Sequence, residues 1–451
     1  MSLIVSVSGV RGIVGDTLTP YEIIRFTSAF AKFCSGEKIM VGRDTRIHSE
    51  MISKIVIGTL LFMGYEVVDL GICPTPTIQL AVEHSDSDGG VMITASHNPS
   101  EWNGLKFLSS EGIFLTPEQH KKFIEIANSG NFNFAKWNKI GKLFNDETFI
   151  EQHIERILKI DFIDLEKIRS RNFKVVVDCI NGAGSKIVPM LLEKFGCEVI
   201  KLNCDGNGIF THEPEPLPEN LTELCETVRK TVADFGIAVD PDADRVVFVT
   251  EKGEPFGEEY TIVQAVKIAL EKKKSLPEKN IVVNLSTTKA VDEIAKKYGA
   301  NVYRSPVGEI NVVKKMKETK AIIGGEGSGG VILPDVHYGR DSLVGIALIL
   351  QNLVEFGGKI SEFKDSLPKF EMVKAKINIA GINPDEILKR AIDLFKDSEI
   401  NTEDGVRVDF EDAWIHIRKS NTEPILRIIS EARTKQDAEN LIKKLKMELH
   451  L

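Results

Sequence analysis

The sequence predicts an α/β protein built from three similar mixed α/β sections and a smaller C-terminal α+β section. Short apolar runs alternate with amphipathic stretches along most of the 451 residues, the pattern of strands joined by covering helices in largely parallel sheets. Three of those runs end in glycine- or aspartate-rich loops, so three sections look built to one plan. From about Lys369 the pattern changes to an alternating strand, Trp414-Ile415-His416-Ile417-Arg418, then a polar turn and a second strand at 425–429.

The elements follow in order. Strands are expected near 38–41, 66–70, 91–94, 174–177, 235–239, 281–284 and 321–323, where the apolar runs are short. Helices are expected at 20–33, 50–63, 188–195, 261–273 and 341–356, where apolar residues recur at helical spacing. At ~100–200 residues per domain the length suits three or four domains. The breaks are placed to give 1–152, 153–253, 254–368 and 369–451.

Composition narrows the function. With 42% hydrophobic and 27% charged residues the chain reads as a soluble globular protein, and no run approaches the ~20 apolar residues of a membrane helix. A net charge of −9 argues against a nucleic-acid-binding surface, leaving room for a local basic pocket. The beginning of the chain lacks a basic n-region and makes a poor signal peptide, so the cytoplasm is expected. The six cysteines form no CxxC and have no histidine at zinc-ligand spacing; they are expected to be reduced and structural.

Four loops carry chemistry. In Asp240-Pro241-Asp242-Ala243-Asp244-Arg245, positions i, i+2 and i+4 of an extended chain point to one side. Three gathered carboxylates repel one another unless a divalent cation joins them, and all-oxygen ligands favour Mg²⁺ over zinc. The competing reading is a solvated acidic loop. Ser96, in Thr94-Ala95-Ser96-His97-Asn98-Pro99, sits in a tight turn after an apolar strand, where a serine is exposed and can carry a phosphate. A plain turn or helix cap competes with that reading. His97 gains no catalytic pairing from adjacency, since neighbouring side chains generally diverge.

In Gly324-Gly325-Glu326-Gly327-Ser328-Gly329-Gly330 the glycines let backbone approach a ligand, and Glu326 and Ser328 suit sugar hydroxyls. In Arg418-Lys419-Ser420-Asn421-Thr422-Glu423-Pro424, cations, hydroxyls and turn N–H groups converge as phosphate binding requires, against the reading of an ordinary hairpin turn. Ligands of open α/β sheets bind at the carboxyl ends of strands, where such loops sit.

Together, and in this order, the four loops resemble the α-D-phosphohexomutase superfamily. The likeness extends to Ser8-Gly9-Val10-Arg11-Gly12, Val177-Asp178-Cys179-Ile180-Asn181-Gly182-Ala183-Gly184 and Pro214-Glu215-Pro216-Leu217-Pro218-Glu219-Asn220, and so covers nearly the whole chain. It implies three α/β domains and a smaller fourth around a central cleft, carrying in turn the phosphoserine, metal, sugar and phosphate sites. It also implies roles. Ser96 would be the phosphoserine, and Asp240, Asp242 and Asp244 would bind Mg²⁺ with an oxygen from Ser96. Arg245 would assist the phosphoryl group, and Lys106, Arg11 and His97 would complete the catalytic set, with Lys106 moving protons. A surface lysine is otherwise the ordinary reading of Lys106. Glu326 and Ser328 would hold the sugar, and Arg418, Ser420, Asn421 and Thr422 the phosphate that is not transferred.

The implied reaction interconverts hexose 6- and 1-phosphates through a 1,6-bisphosphate, in a monomer or homodimer with no nucleic-acid or membrane partner. The Ser-Gly-Val-Arg-Gly, Ser-Glu-Trp-Asn-Gly-Leu-Lys and Gly-Glu-Gly-Ser-Gly-Gly runs look most like the phosphoglucosamine mutase branch, with phosphomannomutase/phosphoglucomutase close behind. One departure is Gly330, where many members carry a histidine; the alternatives are that a sugar contact is missing or that it is supplied elsewhere, with His337 a candidate. A sugar-phosphate phosphatase, releasing phosphate to water, and a non-catalytic sugar-phosphate binder are the rivals from other classes.

Overall fold

The computed structural model describes residues 3–378, 383–419 and 425–449. Its strands form four sheets. The chain divides into two compact units: one holds the residues up to Thr261 with Gly329–Lys364, the other Ile262–Ser328 with the residues from Asp365 onward.

In the first unit a seven-stranded sheet runs in the order Ile4–Ser6, Gly9–Ile13, Trp102–Ser109, Gly89–Ile93, Lys38–Arg43, Glu66–Ile72, Leu143–Asn145. Its last four strands are mutually parallel. Trp102–Ser109 lies antiparallel between Gly9–Ile13 and Gly89–Ile93 and is buried along its whole length. No apolar run marks this strand, because Asn103 and Lys106 interrupt it. Phe26, Phe30, Phe107 and Phe123 pack one side of the sheet at ring separations of 4.8–6.5 Å, each pair adding ~0.5–1.5 kcal/mol beyond burial. Helix Pro117–Ser129 is closed at both ends, by a Thr116/Gln119 capping box and by left-handed Gly130.

The unit's second sheet has the order Val246–Thr250, Phe235–Val239, Lys174–Asp178, Glu198–Leu202. Its last three strands are parallel, and Val246–Thr250 returns antiparallel after the aspartate loop. The helix expected at 188–195 begins earlier, at Gly184, with Pro189 inside it. Helix Ser342–Phe356 is capped by Asp341, whose Oδ1 accepts from the amides of Leu343 (2.8 Å) and Val344 (3.4 Å). Among the described residues no single helix is long and apolar enough to cross a membrane.

In the second unit, Asn301–Ser305, Asn280–Asn284 and Ile323–Glu326 lie parallel. The strand expected at 321–323 lies instead at Ile323–Glu326, because a glycine pair is tolerated in a strand this closely packed: a Cβ on Gly324 would stand 2.8 Å from the Val282 carbonyl oxygen. The C-terminal section is a five-stranded antiparallel sheet, Glu371–Asn378, Ile425–Ala432, Trp414–Lys419, Val406–Asp409, Glu399–Asn401. Buried Trp414 donates from Nε1 to Glu431 (2.7 Å), and the Arg407 guanidinium lies 4.3 Å over its ring. Mixed α/β sections followed by an α+β end are therefore what the chain forms.

Candidate active site

In the first unit, Ser96 and the three aspartates meet. Ser96 leaves the strand Gly89–Ile93 in the left-handed region, at φ +49°, and donates its hydroxyl to Asp240 Oδ2 at 2.8 Å. It is 1% exposed, so the exposed serine expected from a polar turn is instead buried. The same backbone conformation brings His97 Nδ1 to 3.3 Å from Ser96 Oγ, so these neighbours converge where ordinary extended backbone would separate them. Burial, then the charges of Arg245 and Arg11, push the His97 pKa well down and favour the neutral ring.

The aspartates are gathered by a turn, not by the alternation of an extended chain. Asp240 Oδ1 accepts from the amides of Asp244 and Arg245, both at 3.1 Å, and Ala243 adopts φ +50°, which no strand allows. One carboxylate oxygen from each aspartate lies within 4.8 Å of the others, and all three residues are fully buried. Counter-charges sit unequally around them. Lys106 Nζ lies 2.5 Å from Asp242 Oδ2 and 3.4 Å from Asp244 Oδ2, and Thr75 Oγ1 donates to Asp242 at 2.5 Å. Arg340 donates to Asp244 Oδ2 at 2.6 Å. Burial opposes ionisation of all three. Lys106 overcomes it at Asp242 and Arg340 at Asp244, whose pKa values fall, whereas Asp240, facing two carboxylates, is pushed well up.

Two buried carboxylate oxygens, Asp242 Oδ1 and Asp244 Oδ1, have no hydrogen-bond partner among the described residues. Unpartnered buried oxygens are costly and suit a hard cation; the donor set is wholly oxygen, as Mg²⁺ requires. The other expected residues of this unit stand close by. Lys106 is 2% exposed within the strand Trp102–Ser109, which rules out the surface-lysine reading. Arg11 donates to Asn98 Oδ1 at 3.2 Å, and Arg245 lies 3.7 Å from Asp244 and 3.5 Å from Glu215.

The Gly330 departure has a steric cause. A Cβ there would stand 2.4 Å from Cδ of Arg340, so the glycine makes room for the arginine that reaches Asp244. His337 does not replace the missing histidine in the loop: it is buried, its Nε2 3.2 Å from Asp341 Oδ2, which His153 Nε2 also approaches at 2.8 Å. With Thr77 at 2.9 Å on the other nitrogen of His153, these side chains satisfy one another and anchor the segment carrying Arg340.

In the second unit Glu326 ends its strand buried, its Oε1 accepting from Asn284 Nδ2 (2.8 Å) and the Gly308 amide (2.9 Å). Ser328 follows two residues on and is half-buried. Arg418 pairs across the sheet with Arg427, like charges in register, and lies 3.6 Å from Asp404. Burial, opposed by Asp404 and reinforced by Arg427, lowers its pKa, an environment that an anion would relieve. Ser420, Asn421 and Thr422 lie outside the described residues.

Reasoning from sequence did not select Thr75, Arg340, Asp44 or Arg46. The last two belong to Gly42-Arg43-Asp44-Thr45-Arg46, a polar run directly after an apolar strand, the same pattern that marks the Ser96 loop.

Comparison with known proteins covers the chain nearly end to end. Sequence models of phosphoglucomutase/phosphomannomutase match in four pieces: α/β/α domain I at residues 3–134, domain II at 151–253, domain III at 257–370 and the C-terminal domain at 372–446. A probable phosphoglucosamine mutase of Methanopyrus kandleri is 39% identical, over 96% of this chain and 95% of that protein. A phosphoglucomutase/phosphomannomutase of Thermococcus kodakarensis is 40% identical, over 95% and 94%. Among solved structures, a phosphoglucomutase/phosphomannomutase family protein from Burkholderia thailandensis superposes with a TM-score of 0.86 at 26% identity, over 98% of this chain and 96% of that one.

Proposed function

The chain belongs to the phosphoglucomutase/phosphomannomutase family and is a phosphohexomutase, and on that premise we propose that it converts glucosamine 6-phosphate to glucosamine 1-phosphate through phosphorylated Ser96. The observation that carries this reading is the 2.8 Å contact between Ser96 Oγ and Asp240 inside a buried three-carboxylate cage. A serine nucleophile needs its phosphoryl charge neutralised, and the cage supplies the means.

Asp240, Asp242 and Asp244 would hold Mg²⁺ together with an oxygen of Ser96. When bound, the cation neutralises charge on the phosphoryl oxygens. The chain's own side chains then divide the work. Ser96 gives its phosphoryl to the free hydroxyl of the bound sugar phosphate and recovers the other phosphoryl from the 1,6-bisphosphate, so no net phosphate is lost. Lys106, held as an ammonium between two carboxylates, gives a proton to the departing Ser96 oxygen and takes one from the attacking sugar hydroxyl in return, with Arg11 supporting the charge and neutral His97 beside Ser96 Oγ. Arg245 orients the phosphoryl group. Glu326 and Ser328 bind sugar hydroxyls, and Arg418, Ser420, Asn421 and Thr422 grip the phosphate that stays. Four domains, at 1–152, 153–253, 254–368 and 369–451, would share these roles in a cytoplasmic monomer or homodimer.

The sugar choice rests on the phosphoglucosamine-like motif runs and the Methanopyrus relative. The equally similar Thermococcus relative favours glucose and mannose phosphates as the second reading. Initial rates on the 6-phosphates of glucosamine, glucose and mannose, side by side, decide between them; kcat/KM highest for glucosamine is the expected result, and a preference for either other sugar overturns it. Ser96→Ala should abolish exchange while leaving the fold intact, and intact-mass analysis of the wild type should find a phosphate on the Ser96 peptide. Near-normal turnover by the alanine variant would sink the covalent relay.

A further inference from the structure

We propose that Asp44, Thr45 and Arg46 form a bracket that sets the Ser96 loop at its working distance from the aspartate loop, with Arg46 a positioning residue for phosphoryl transfer. This deepens the function proposed above and rests on it.

The first arm of the bracket is Arg46. All five of its guanidinium N–H donors are used. Nη1 donates to the carbonyls of Pro99 (2.7 Å) and Trp102 (3.1 Å), Nη2 to those of Ser96 and Asn98 (both 2.7 Å), and Nε to Asp44 Oδ2 (3.2 Å). Four carbonyls between Ser96 and Trp102, three of the loop and one at the start of the next strand, therefore converge on one side chain that is 2% exposed. A loop leaving a strand through a left-handed residue cannot satisfy its carbonyls in a ladder, and a buried carbonyl without a donor is costly. Asp44 completes the hold on the loop. Its carboxylate accepts from the Arg46 amide (3.0 Å), Ser49 Oγ (2.5 Å) and Thr94 Oγ1 (2.7 Å), and Thr94 Oγ1 in turn accepts from the Ser96 amide (2.9 Å). Both the N–H and the C=O of Ser96 are thus fixed from residues 44–46.

The second arm faces the aspartates. Thr45 Oγ1 donates to the Asn181 carbonyl at 2.7 Å, in a turn where Ile180 and Asn181 are both left-handed, at φ +47° and +54°. Two residues on, the Ala183 amide donates to the Pro241 carbonyl at 2.7 Å. Gly182 packs so closely there that a Cβ would fall 2.6 Å from the Pro241 oxygen. One three-residue segment is therefore tied to the nucleophile loop on one side and, through the 181–183 turn, to the aspartate loop on the other. Ser96 Oγ and Asp240 Oδ2 approach to 2.8 Å between those two ties. A guanidinium fork can serve four carbonyls at fixed angles; an ammonium, with three donors on a flexible stem, cannot.

The test compares Arg46→Lys and Thr45→Val with wild type, and Arg25→Lys as a surface control. Hydrogen exchange of the 94–98 amides is read in metal-free protein, and single-turnover transfer from phosphoserine is read with Mg²⁺ and hexose phosphate. Misplacing reacting groups by about 1 Å costs ~100-fold, so Arg46→Lys should lower kcat ~10- to 100-fold with KM within about threefold and should lose amide protection at 94–98. Thr45→Val should lower kcat several-fold with protection at 94–98 kept, and it decides the question should the lysine variant not fold. Wild-type kcat in Thr45→Val, or wild-type kcat and protection in Arg46→Lys, overturns the bracket. Failure of the function proposed above has a different signature: the wild type itself would then show no transfer from Ser96, while the exchange difference at 94–98 persisted.

Discussion

Replacing Lys106 with methionine should expose how the carboxylate cage is balanced. The methionine keeps the length and bulk of the side chain beside Phe114, whose ring lies 5.6 Å from the ammonium, and removes the charge that Asp242 and Asp244 share at 2.5 and 3.4 Å. Lys106 is 2% exposed and both aspartates are fully buried, so solvent cannot screen the loss. Removing one partner of a buried pair costs ~3–5 kcal/mol, because a charge is left uncompensated. Arg340 still serves Asp244, so the lower figure, about 3 kcal/mol, applies here. For a unit of about 300 residues unfolding with ~2.1 cal/mol/K per residue, that loss lowers Tm by about 5 °C. A divalent cation binding the same carboxylates stabilises both proteins by RT ln(1 + [L]/Kd), ~2.7 kcal/mol at a hundredfold excess over Kd, and it closes the gap because the variant, with no ammonium competing at Asp242, binds it more tightly. Thermal melts of wild type and variant, each with chelator and with Mg²⁺, should show the variant several degrees lower in chelator and recovering most of the gap with the metal. A variant as stable as wild type in chelator, or one whose deficit ignores Mg²⁺, would refute the reasoning.

Three further outcomes follow from the second unit and are read separately. Glu326→Ala, which also frees the Asn284 amide and the Gly308 N–H, should lower kcat/KM for the sugar phosphate by ~10- to 100-fold, the cost of a lost charged hydrogen bond, and leave Mg²⁺ affinity alone; loss of metal binding would mean the loop is misassigned. Arg418→Ala should weaken hexose-phosphate binding ~10-fold or more, as loss of a charge-assisted phosphate contact does, with Ser96 phosphorylation retained, and unchanged KM would confine Arg418 to the hairpin. Burial holds the His416 pKa down at about 4 against its ordinary 6.5, with its ring nitrogens on Ser286 Oγ (2.9 Å) and the Asp404 carbonyl (2.6 Å). The unfolded chain takes up that proton below about 6.5 and the folded one only near 4, so stability is full above that window and falls across it by about 3 kcal/mol as pH drops. Melts of wild type and His416→Gln between pH 7 and 4.5 should differ in slope, the variant being flatter, and equal slopes would exclude His416 as the source.

Lys106 was singled out only through the family resemblance, but the alternation of strands and helices, the change of pattern near Lys369, and the polar loops that carry Ser96, Asp240, Asp242 and Asp244 were legible in the residues themselves. Those features are local: an apolar run closing in a polar loop is written in consecutive residues. The strand Trp102–Ser109 was not legible, because its polar positions are satisfied by partners distant in sequence, Asn103 by Ser49 and Lys106 by Asp242. The three aspartates do come together, but not by the expected geometry, since a turn with a left-handed Ala243 gathers them where an extended chain was expected. Burial of Ser96 and the reach of Arg340, in the space left by Gly330, to Asp244 depend on contacts between segments up to 144 residues apart in the chain, as with Ser96 and Asp240. Spacing along a chain encodes periodicity and turn chemistry. It does not encode which distant carboxylate or carbonyl a side chain will meet, and that is settled by packing of the sheets whose strand ends deliver these loops.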